Sequence, residues 1–176
     1  ILTEEGDAYL YRTDGRLARK SHLPSMTGFA GKSRSSMIWN GEWYIFTEQE
    51  TFRMDLRTGV FSHSEIQIPY AMEKNSIPGY KCLNDKQGNL YLFGPKGWKK
   101  QLHLLDNKNY INGRDRIFTV ERDHRGRFFI ASYGGGLFVY DPHDDQLQQF
   151  SAYDADPVIS SNFLLSIYIS KDNTIW

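Results

Sequence analysis

One short pattern, a turn glycine leading into an apolar strand, returns along this chain and restricts its fold more than any other feature. It reads Asn40-Gly41-Glu42-Trp43-Tyr44-Ile45-Phe46, then Gln87-Gly88-Asn89-Leu90-Tyr91-Leu92-Phe93, then Arg125-Gly126-Arg127-Phe128-Phe129-Ile130-Ala131, with a looser copy at Glu5-Gly6-Asp7-Ala8-Tyr9-Leu10-Tyr11. Each copy is followed by a second strand that closes on a turn: Phe52-Arg53-Met54-Asp55, Leu104-Leu105-Asp106, Phe138-Val139-Tyr140-Asp141 and Leu10-Tyr11-Arg12. The two halves keep the same order, and the unit recurs about every 35 to 50 residues, the spacing of propeller blades.

The clearest unit spans residues 117–150. Phe118 and Val120 alternate with polar neighbours, Asp123-His124-Arg125-Gly126 turns, and residues 128–131 form a buried strand. Tyr133-Gly134-Gly135-Gly136 then bends the chain, residues 137–140 form a third strand, Asp141-Pro142-His143-Asp144 turns again, and residues 147–150 close the unit. Turns of this kind favour Gly and Asn, which reach positive φ at low cost. Residues 37–68 and 80–110 repeat the order less cleanly. The expected fold is therefore all-β: a β-propeller fragment of about four blades, each a four-stranded antiparallel sheet. The expected division is the end of a blade at 1–23, blades at 33–68, 77–112 and 115–152, and the start of the next at 163–176. A chain that starts at Ile1, without initiator methionine or secretion signal, is expected to be a piece of a longer protein. Two readings of its ends stay open: a cut at equivalent points of two blades, the favoured one, or a ring closed by a shared sheet. Open sheet faces left by a cut would favour self-association.

An aromatic share of 15% in a chain of mean hydropathy −0.56 suits many short strands that bury one ring-rich face and keep polar turns. With 21 basic and 21 acidic residues there is no concentrated basic surface, which argues against nucleic acid as a partner. No apolar run approaches the roughly 20 residues of a membrane helix, so no membrane insertion by this chain is expected. Cys82 is the sole cysteine, which excludes an intrachain disulfide and a cysteine-pair metal site. The five histidines show no i, i+4 pair, so no metal is expected. Gly31-Lys32-Ser33 has Met26 where a phosphate loop needs its first glycine, and Gly134-Gly135-Gly136 lacks the lysine and helix of a phosphate cradle. No cofactor and no catalytic constellation emerge.

These residues resemble the two-component-regulator propeller repeats of the periplasmic sensor regions of bacterial hybrid histidine kinases. The match is best at Ser161-Asn162-Phe163-Leu164-Leu165-Ser166-Ile167-Tyr168 with Asp172 and Ile175-Trp176, and next best from Ile117 through Asp141-Pro142. Departures are Phe129 where the repeat prefers Trp, Ser132 where it has Thr, and Pro95-Lys96-Gly97-Trp98 where it has a glycine bend. The resemblance implies a periplasmic, non-enzymatic sensor segment whose parent is anchored in the inner membrane. Such a sensor binds an oligosaccharide, associates with a second copy, and signals to a kinase outside this segment. A propeller lyase and a protein-interaction scaffold are the alternatives.

In a propeller, the bends between second and third strands and the links between blades gather on the face that usually meets ligands. The candidates there are Tyr70, Trp98, Lys99, Lys100, Arg114, Tyr133 and Tyr153. Flat aromatic rings cover the C–H face of a sugar, and cations bond its hydroxyls or acidic substituents. Trp98 leads, in a lysine-flanked loop, with packing between blades as its other role. Tyr44, Tyr91, Phe129 and Trp176 hold equivalent repeat positions and are read as core. Asp85, Asp123 and Asp172 are read as turn carboxylates. A cluster of His103 with Glu48 or Glu50 would favour an enzyme.

Overall fold

A computed structural model of the chain describes residues 3, 7–22, 35–74, 77–85, 87–104 and 116–176, with no description of the Arg116 side chain. Arg114, the Gly31-Lys32-Ser33 motif and Leu105-Asp106 lie outside the described residues. Among them the structure is all-β, in four antiparallel sheets. Strands β1 (Asp7–Tyr11) and β2 (Leu17–His22) form a two-stranded sheet. Strands β3 (Ser35–Trp39), β4 (Glu42–Phe46), β5 (Thr51–Asp55) and β6 (Phe61–His63) form a four-stranded meander. The next sheet holds β7 (Met72–Glu73), β8 (Lys81–Asn84), β9 (Asn89–Phe93) and β10 (Lys99–His103). The last is the second clean meander, β11 (Arg116–Arg122), β12 (Phe128–Tyr133), β13 (Gly136–Asp141) and β14 (Gln146–Phe150). Beyond it, paired hydrogen bonds between Tyr168 and Trp176 begin a further hairpin. This is the expected propeller fragment of about four blades.

The chain divides into two compact units, residues 1–72 with 95–97, and residues 73–94 with 98–176. In the first, Ala8 of β1 joins Trp43, Ile45, Phe52 and Met54 in one core, because alternate side chains of β4 and β5 point to the same face. In the second, Cys82, Leu90, Leu92 and Leu102 of one sheet meet Ile117, Val120, Phe128, Ile130, Phe138 and Tyr140 of the next. The other face of that last sheet packs Phe129, Ala131 and Val139 against Ile167. Burial on both faces explains the continuous apolar run of β12.

Two expectations about strands need correction. The strand after β9 is Lys99–His103 rather than Leu104-Leu105-Asp106. Only Leu102 of its residues is buried, so its apolar signal was weak. Leu10 and Tyr11 end β1, and the second strand is Leu17–His22, which presents almost no buried residue. In the last hairpin Ser170 holds the position of Asp123, while Asp172 is a turn carboxylate as expected, accepting the Thr174 N–H at 3.3 Å. In four hairpins the first turn residue donates its N–H to the carbonyl of the fifth: Arg12 to Arg16 at 2.9 Å, Asp85 to Asn89 at 3.2 Å, Asp123 to Arg127 at 3.0 Å and Ser170 to Thr174 at 2.9 Å. The fourth turn residue, Gly15, Gly88, Gly126 or Asn173, takes positive φ each time.

Candidate functional site

The bend between β12 and β13 is built to lie flat. Gly136 sits at φ 78°, and a Cβ there would run into the carbonyl oxygen of Phe150 and lie 3.1 Å from Asn162 Oδ1. Two of the bend's N–H groups are already used: Gly134 and Gly136 donate to the Asn162 carbonyl at 2.8 and 3.0 Å. The triple glycine therefore serves close approach of the link that follows β14, which takes the Gly134 and Gly136 amides.

That link brings three rings together. Tyr133 ends β12, and Phe163 meets it edge-on at 4.8 Å between centroids. Phe118 lies 5.9 Å from Tyr133, its ring tilted by 41°. Phe118 reaches this position through a β-bulge: Ile117 pairs with Ser132 and Thr119 with Ala131, leaving Phe118 as the extra residue. Ile117 and Val120 stay in the core while Phe118 turns out. The rings are 36% (Phe118), 42% (Tyr133) and 45% (Phe163) exposed, an unusual retention of apolar surface for three clustered aromatics.

Of the sequence candidates, Tyr133 is the one in this cluster. Trp98 is half-buried, stacked on Phe128 at 6.2 Å and 6° and edge-on to Tyr80 at 5.9 Å, so it packs between the two sheets of its unit. Lys99 is exposed at the start of β10. Lys100 spans two sheets, with Nζ 2.5 Å from Asp145 Oδ1 and 5.6 Å from the Tyr140 ring centroid. Tyr70 stands at φ 59° in the link after β6 and donates its N–H to the Thr47 carbonyl at 3.1 Å. Tyr153 is 62% exposed, in a turn where its N–H donates to Ser151 Oγ. Phe118 and Phe163 are not among the sequence candidates. Phe163 lies within the repeat motif of residues 161–168, and Phe118 lies in a strand whose alternation with Val120 is interrupted by the bulge.

The electrostatics are those of a structural framework. Lys100 first, then the Tyr140 hydroxyl at 2.8 Å, hold the Asp145 carboxyl below its usual range. Burial pushes Asp123 up, but its hydrogen bonds with Arg127 outweigh this and leave its pKa lowered. Burial pushes the Cys82 thiol up to about 12, far from nucleophilic thiolate character. His103 Nδ1 lies 2.7 Å from Asn89 Oδ1, and Glu50 faces His63 at 3.8 Å. Among the described residues no three His, Cys, Asp or Glu side chains come together in a way that could hold a metal. No helix among them is long and apolar enough to cross a membrane.

No protein-family model and no curated protein sequence matches the chain. Its fold has solved counterparts. The extracellular domain of BT4673 from B. thetaiotaomicron, described as a one-component system, aligns over 98% of this chain at 16% identity with a TM-score of 0.51. A second structure of that domain, described as belonging to a hybrid two-component system, covers the same share at 17% identity and a TM-score of 0.45. The chain spans about a quarter of their length, 24% and 23%. At such identity the first likeness bears on the fold alone.

Proposed function

We propose that this chain is a non-enzymatic, ligand-recognising segment of a sensor, exposed in the periplasm, that reports an oligosaccharide to a kinase elsewhere in its parent. Association with a second copy of the parent belongs to the same reading. The observation that carries it is the exposed Phe118, Tyr133 and Phe163 cluster on the bend-and-link face. Its rings offer C–H stacking surface and a phenol that can bond a hydroxyl. The fold likeness to an extracellular domain supports the sensor half of the reading.

A thermal-shift screen against plant, host and microbial oligosaccharides tests it, since a ligand bound only by the folded state raises the melting temperature. The expected result is a saccharide-specific rise in the native chain that Tyr133→Ala abolishes. A rise that Tyr133→Ala leaves intact would move the site elsewhere, and no rise with any sugar would defeat the oligosaccharide reading.

A further inference from the structure

Asn162 ties the aromatic cluster to the link between repeats. It is 3% exposed, and its carbonyl takes both Gly134 and Gly136 N–H groups of the bend that carries Tyr133. Its side-chain Oδ1 accepts the Ala152 N–H at 2.6 Å, and its Nδ2 donates to Ser151 Oγ at 3.0 Å. Two residues on, the Leu164 N–H donates to the Ser132 carbonyl at 3.0 Å. Phe163 is thus held between two backbone anchors, directly against Tyr133. The earlier meander has a plainer version of the same tie: the Tyr70 N–H reaches the Thr47 carbonyl and the Ile68 N–H the Thr51 hydroxyl.

We propose that residues 161–164 act as a strap closed by the ligand, with Asn162 as the positioning residue that seats Phe163 beside Tyr133 so that one saccharide is gripped by two successive repeats. The inference rests on the sensor reading above. Exposures of 36–45% leave the three rings with apolar surface on the order of 250 Å². That is well short of the roughly 800 Å² per partner of a stable protein interface, and it matches one or two sugar rings. Because Phe118 and Tyr133 belong to one sheet and Phe163 to the link leaving it, a bound sugar stabilises the closed strap by whatever affinity it has for the closed state over the open one. Occupancy is thereby converted into a fixed relation between consecutive repeats, which is a form a sensor can transmit.

Amide hydrogen exchange on the whole chain tests this in two arms. Without ligand, Phe163→Ala should speed exchange at Gly134, Gly136 and Leu164 at least tenfold, leaving Ile130 and Val139 unchanged. Asn162→Ala should do the same, and Asn162→Asp, which keeps the acceptor for the Ala152 N–H, should restore most of the protection. Protection unchanged in Phe163→Ala, or lost uniformly through β11–β14, would overturn the strap. In the second arm maltohexaose, cellohexaose and xylohexaose are added singly. A hexaose that raises the melting temperature should slow exchange at the same three amides at least fivefold. Binding without that slowing overturns the strap and leaves the sensor reading standing. No binding by any saccharide of the wider panel removes the sensor's oligosaccharide and the strap's ligand together.

Discussion

The Asp123 carboxylate is sealed from solvent beside a tight hairpin, where it accepts the N–H groups of Arg125 at 3.0 Å and Arg127 at 2.8 Å and pairs with the Arg127 guanidinium at 2.8 Å. Removing it strands those donors next to a buried surface, which costs more than the bonds' net worth. Asp123→Ala is expected to destabilise the chain by about 2 to 3 kcal/mol, measured by urea unfolding. Asp123 was legible in the sequence because a carboxylate three residues before a glycine marks this turn. Gly136 makes a second case. Its positive φ and the Phe150 oxygen in the path of any Cβ predict that Gly136→Ala costs about 2 kcal/mol or more, whereas Gly41→Ala, with nothing within 4 Å, costs only the strain of its φ. The same urea experiment compares the two.

At the scale of elements, two of the contacts between the sheet of β7–β10 and that of β11–β14 lend themselves to test, beside the apolar core the sheets share. The first is the stack of Tyr80, Trp98, Phe128 and Tyr140, from which Trp98→Ala should remove about 3 kcal/mol. The second is Lys100 with Asp145. The Asp145 pKa lies lower in the folded chain than in the unfolded one, where about 3.9 is expected. The pair's contribution is therefore complete above that unfolded value and disappears as pH falls through the folded one. Melting temperatures of native chain and Asp145→Asn should differ at pH 6 and draw together as the pH is lowered below the unfolded carboxyl's range; a gap that stays constant would show that charge plays no part. The meanders of β3–β6 and β11–β14 were readable because their middle strands are buried on both faces and closed by Asn-Gly or Asp-rich turns. β2 and β10 were missed or shifted because they carry mostly Arg, Lys, Gln and His, and an apolar pattern cannot mark a strand that buries little. The bulge at Phe118 was hidden for a different reason: register is a property of two strands, and one strand's alternation does not disclose it.

For the molecule as a whole, repetition fixed what could be known early. A blade buries its faces against neighbouring blades, so each copy reports the same architecture. Function does not repeat in this way. The candidate site rests on Phe118, Tyr133 and Phe163, the first set by a bulge in its own strand, and Trp98, the leading sequence candidate, is occupied in packing. The account's central claim is that these three rings are a sugar platform, and the most direct measurement is an aromatic-ring NMR titration of the chain with an oligosaccharide found in the thermal-shift screen. The account predicts saturable shifts on Phe118, Tyr133 and Phe163 while Phe46 and Phe52, buried in the other unit, stay fixed. Shifts centred on other rings, with these three unmoved, would contradict it.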